Sequence, residues 1–103
     1  MNTTVDKKTN KEAILKYGIT LQSVVCMEEM SELTKEISKF IRGKGKKENL
    51  VEEIADVYIC LDMLQTMYNI SDKEIKREIF IKQLRTNKRL SQEESYGQIR
   101  DNI

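Results

Sequence analysis

The chain has 103 residues, of which 39% are hydrophobic and 34% charged, a balance that suits one soluble domain with a modest core and excludes the low-hydrophobicity, high-net-charge signature of disorder. Lys+Arg 18 against Asp+Glu 17 leaves a net charge of +1, which gives no global electrostatic case for nucleic-acid binding. Histidine is absent, so histidine triads, histidine general bases and the usual zinc and di-iron ligand sets are excluded together, and any catalysis must use carboxylates, hydroxyls, amines or a metal.

The charged start MNTTVDKKTNKE lacks the apolar stretch of a signal peptide, and no apolar run approaches the roughly 18 residues of a membrane span. A cytoplasmic location with no membrane partner is therefore expected. Residues 1–10 read as a polar tail. A short amphipathic helix over about residues 11–17 ends at Gly18, a residue type that readily adopts the left-handed conformation closing a helix. A second helix over about residues 21–41 carries Cys26, Met30, Leu33, Ile37, Phe40 and Ile41 at helical spacings, which predicts one buried face. The run Arg42-Gly43-Lys44-Gly45-Lys46-Lys47 breaks that pattern; without Walker spacing or a preceding strand it reads as a solvated turn.

The third helix, about residues 50–68, is apolar nearly all round, with Val51, Ile54, Ala55, Val57, Tyr58, Ile59, Leu61, Met63, Leu64 and Met67. Such a helix belongs at the centre of a bundle, and one short chain has too few helices to cover it, so a homodimer or homotetramer is expected. Cys26 and Cys60 lie in apolar stretches without CxxC spacing and read as reduced core residues. Ser71 with Glu74 has the form of a capping box opening a fourth helix, whose Ile75, Ile79, Phe80 and Leu84 form an apolar side expected to cover the hairpin. Ser91 with Glu94 has the same form and suggests a short last helix in a polar tail, residues 91–103, that contains Gly97. The fold class expected is all-α, with the second and third helices forming an antiparallel hairpin that completes a four-helix bundle on oligomerisation.

Two acidic clusters carry the chemistry: Glu28-Glu29-Met30-Ser31-Glu32 on the second helix and Glu52-Glu53-Ile54-Ala55-Asp56 on the third. Residues three apart share a helical face, so Glu29 with Glu32, and Glu53 with Asp56, each present two carboxylates in one direction. A helical hairpin lets the pairs converge. Glu53 and Asp56 share a stripe with Cys60, Met63 and Met67 on a helix with almost no exposed side, and leaving such charges uncompensated is costly. Their counter-charge is either a Lys or Arg from another helix or a divalent metal; an oxygen-only ligand set favours a hard ion, Mg²⁺ or Mn²⁺. The same i, i+3 charge spacing also occurs on ordinary solvated helices.

The pattern E-E-x-x-E, a gap, then E-x-x-D resembles the metal-binding motif of the all-α nucleoside triphosphate pyrophosphohydrolases, and of the short MazG-like proteins among them. Here it is Glu28, Glu29 and Glu32, twenty intervening residues, then Glu53 and Asp56. Tyr17-Gly18 with Gln22 ahead of the first cluster, and Glu52-Glu53-Ile54-Ala55-Asp56-Val57 in the second, extend the similarity over roughly residues 16–90 of a single domain spanning 1–103. The resemblance implies Mg²⁺, with Mn²⁺ as a substitute, coordinated by Glu29, Glu32, Glu53 and Asp56. It implies hydrolysis of a nucleoside triphosphate to monophosphate and pyrophosphate, with Glu28, Glu29 and Glu32 as the catalytic acids: Glu29 or Glu32 activating water, Glu28 either supporting the ligands from behind or positioning water. It places Gln22 near substrate, while Lys82, Arg85, Lys88 and Arg89 are either phosphate contacts or a solvated basic helix end. The alternatives are a phosphoribosyl-ATP pyrophosphohydrolase, which uses the same chemistry, and a non-catalytic helical oligomer. Met63, Met67, Tyr58 and Tyr68 read as core rather than as a base pocket.

Overall fold

The computed structural model describes residues 4–94 and is all-helical, with four α-helices and no strand among the described residues: α1 Lys7–Tyr17, α2 Ile19–Ile41, α3 Lys47–Met67 and α4 Asp72–Glu94. Residues through Ile70 form one compact unit and those from Ser71 a second. None of the helices is long and apolar enough to cross a membrane.

The first helix begins at Lys7 rather than near residue 11, because Asp6 caps it. The Asp6 carboxylate accepts from the Lys8 and Thr9 amides at 3.0 and 3.2 Å and from the Thr9 hydroxyl at 2.8 Å, satisfying donors that a helix start leaves open. Those bonds, led by the Thr9 hydroxyl, hold the Asp6 carboxyl below its usual range. The expected polar tail is thus helical from its seventh residue. Gly18 ends α1 and precedes α2, with its amide on the Ile14 carbonyl, φ 88° and ψ 159°. This is not the left-handed helical cap expected from sequence, but an extended conformation at positive φ that is essentially confined to glycine.

α2 and α3 form the expected antiparallel hairpin. The turn between them is tight: Gly43 sits at φ +73°, and a Cβ on Gly45 would lie 2.7 Å from the Phe40 ring and 2.9 Å from its backbone nitrogen. Both glycines thereby have a steric reason that needs no phosphate. At the open end, the Tyr68 and Ser23 hydroxyls share a hydrogen bond of 2.5 Å.

The core of this unit is small. Cys26, Cys60, Met63 and Met67 are its buried apolar side chains, with Ala13, Ile14 and Leu64 packed against them. Both cysteines are free, and the Cys26 thiol donates to the Cys60 carbonyl at 3.8 Å. Burial and the neighbouring Cys26 push the Cys60 thiol up to about 12, so it behaves as the inert core residue the sequence suggests. The predicted buried face of α2 holds only in part: Cys26 is buried and Met30 and Leu33 half-buried, whereas Ile37, Phe40 and Ile41 are exposed, Ile41 by 83%. On α3, Val51, Ile54, Tyr58, Ile59 and Leu61 are also exposed. The reason is geometric, since α1 and α2 each cover one strip of a helix that is apolar on every side.

In the second unit the capping box is formed as expected. The Glu74 amide donates to the Ser71 hydroxyl at 3.2 Å and the Ser71 amide donates back to the Glu74 carboxylate at 2.8 Å, which holds the Glu74 carboxyl below its usual range. Ile75, Ile79, Phe80 and Leu84 are exposed on this helix. Ser91 lies inside α4 and opens no new helix; Gly97 and the rest of the expected tail lie outside the described residues.

Candidate metal centre

The antiparallel hairpin sets Cys26 against Cys60. Moving one turn along each helix from that contact, away from the open end, brings Glu29 on α2 opposite Asp56 on α3, and Glu53 follows on the next turn of the same α3 face. The convergence expected from spacing is present: one carboxylate oxygen from each of Glu29, Glu53 and Asp56 lies within 4.8 Å of the others. All three side chains are half-buried. One oxygen of Glu53, Oε2, is fully buried and has no hydrogen-bond partner.

Packing three acids together at the edge of a core raises their affinity for protons. Burial, and then the hydrogen bond and charge of Asp56, push the Glu29 carboxyl above its usual range, with Glu53 and Glu32 adding to the effect. Burial also leads at Glu53, followed by the charges of Asp56, Glu32, Glu36 and Glu52. The described ion pairs, Lys7–Asp62 and Lys39–Glu36, do not involve any of these three carboxylates. Among the described residues, no Lys or Arg forms an ion pair with the cluster.

The other candidates are placed differently. Glu32 is exposed and stands outside the close set, although its charge bears on both Glu29 and Glu53. Glu28 is exposed on the outer side of α2. Gln22 is buried, but seven residues from Glu29 it lies roughly 10 Å along the helix axis. Lys82, Arg85, Lys88 and Arg89 are exposed on α4, in the second unit.

Two further polar features stand out. Glu36, which its spacing sets with Glu29 and Glu32 beside the apolar face of α2, is one of the best-buried acids, at 7% exposure, and pairs with Lys39 at 3.3 Å. The second is a polar cluster joining α1 to α3, in which the Lys7 ammonium meets one oxygen of Asp62 and Asn10 donates to the other at 2.8 Å. Burial pushes Asp62 up, but Lys7 and Asn10 outweigh it and hold its carboxyl below the usual range. An aspartate amid the apolar run of α3 was the signal for it. Nothing in the sequence marks Asn10.

Comparison with protein-family models, with curated proteins and with solved structures finds no match to this chain. The chemistry must be read from the site. Three convergent carboxylates, one with a buried oxygen lacking a donor, fit a hard divalent cation: the donor set is oxygen only, and a cation would relieve both the mutual repulsion and the unmet oxygen.

Proposed function

We propose that this chain is an Mg²⁺-dependent nucleoside triphosphate pyrophosphohydrolase of the MazG-like kind, converting a nucleoside triphosphate and water to the monophosphate and pyrophosphate. The observation that carries the reading is the meeting of Glu29, Glu53 and Asp56 across two helices with Glu53 Oε2 buried and unpartnered. In this reading those three hold the ion. A bound Mg²⁺, or Mn²⁺ in its place, supplies charge neutralisation at the phosphate oxygens and lowers the pKa of water.

The protein's own part follows from placement. Glu29 and Asp56, on facing helices, fix the spacing at which a polyphosphate is received, and the hairpin makes that spacing rigid. Glu32 stands beside the ligand set and faces solvent, which suits it to accept the proton of the attacking water. Glu28 supports from the outer face. The basic side of α4, with Lys82, Arg85, Lys88 and Arg89, is assigned to the phosphates on the strength of the resemblance alone. The same holds for Gln22 and substrate.

The reading includes a homo-oligomer. A core of four buried apolar side chains is small for a helical unit of this length, and the exposed Val51, Ile54 and Leu61 of α3 with Ile37 and Ile41 of α2 offer what a second copy would bury. Product analysis tests the activity. With a panel of nucleoside triphosphates and Mg²⁺, phosphorus NMR should show monophosphate and pyrophosphate, and the reaction should stop in EDTA. Orthophosphate as first product, or no turnover across the panel, overturns the assignment.

A further inference from the structure

We propose that α1 is a strap that opens as a unit about Gly18 while the α2–α3 hairpin stays folded. Polar bonds converging on one turn of α3 hold α1 in place. Lys7 and Asn10 together occupy both carboxylate oxygens of Asp62, and Asn10 also donates to the Ile59 carbonyl at 3.3 Å. Apolar anchoring is slight: Ala13 and Ile14 touch the core half-buried, whereas Leu15 is 85% exposed and Tyr17 about half. Among the described residues the buried apolar side chains, Cys26, Cys60, Met63 and Met67, all belong to α2 and α3.

Three further features favour opening over collapse of the whole unit. The segment leading into α1 is not packed tightly on α3, since a groove lined by Thr4, Val5, Asp6, Ala55, Tyr58 and Ile59 lies between them. The joint is a glycine at φ 88°, and no side chain packs over it: nothing stands within 4 Å of where a Gly18 Cβ would be. Released groups are also readily hydrated, because Lys7 is already two-thirds exposed and Asp62 and Asn10 gain water when uncovered. A latch of this kind exchanges protein hydrogen bonds for water at small net cost, and local opening below the global unfolding free energy is how such segments behave.

Hydrogen exchange of the full chain, followed by mass spectrometry over residues 10–17, 22–37 and 50–64, tests this. The amides of α1 should exchange faster than the central amides of α2 and α3. Lys7→Ala, at an exposed position and with no loss of helix propensity, should speed α1 exchange by roughly two- to fivefold, the range of a partly exposed ion pair, and leave the hairpin rates unchanged. Added salt should speed α1 in the parent protein and have little further effect in the variant. One common rate for all three helices, or an α1 rate that does not respond to Lys7→Ala, overturns the proposal.

Discussion

Glu53→Gln separates a metal ligand from an ordinary buried acid. In the metal-free protein the carboxylate of Glu53 meets the charges of Asp56, Glu32, Glu36 and Glu52, and its Oε2 has no donor. Replacing it with the neutral amide removes that repulsion and adds two donors beside acceptor oxygens, so the apo variant should melt at the parent temperature or above it. Mg²⁺ should then distinguish the two proteins. At about a hundred times its dissociation constant, a ligand that binds only the folded state stabilises by about 2.7 kcal/mol, which for a chain of this size is a rise of roughly 10–20 °C in Tm. The parent should show that rise and Glu53→Gln should lose most of it. Scanning calorimetry with and without 10 mM Mg²⁺, repeated with Ca²⁺ and in EDTA, reads both effects. An apo variant melting well below the parent, or an unchanged Mg²⁺ response, would refute the ligand assignment and point to a structural acid.

The pH dependence carries the same signature. A carboxyl held above its ordinary value of 4.5, as Glu29 and Glu53 are, contributes stability that is present below 4.5 and lost as pH rises through its native value. Metal-free thermal melts should show that loss, smaller in Glu53→Gln, and the Mg²⁺ gain should grow over the same rise because protons compete for the same oxygens. Asp56→Asn should lower turnover by orders of magnitude while leaving the circular dichroism spectrum unchanged, since it removes a charge that positions the metal; full activity would exclude Asp56 from the site. Light scattering coupled to size exclusion should give at least twice the 12.1 kDa of one chain, and a stably folded monomer at micromolar concentration would remove the oligomer from the reading. Gly18→Ala should destabilise by about 1–3 kcal/mol, because alanine is strained at φ 88° and ψ 159° however open the surroundings; an unchanged denaturant midpoint would show that the joint relaxes.

What the sequence determined by itself is local. Helix spacing, the glycine punctuation and the Ser71–Glu74 box depend on neighbours within one turn, and the hairpin, the capping box and the core placement of Cys26 and Cys60 follow from them. The i, i+3 rule likewise placed Glu53 and Asp56 on one face. Register between helices is not local. Only packing decided that Glu29 joins Glu53 and Asp56 while Glu32, one turn further along the same helix, stands outside the close set, because a residue's distance from a facing helix depends on the crossing as well as on its own periodicity. Burial is equally a tertiary property. Ile37, Ile41 and Val51 carry the right spacing for a core and remain exposed, since within their own unit α1 is the one helix packed on the hairpin. Asn10 carries no apolar signal and is buried, because Asp62 of α3 offers it an acceptor that no neighbour in sequence could.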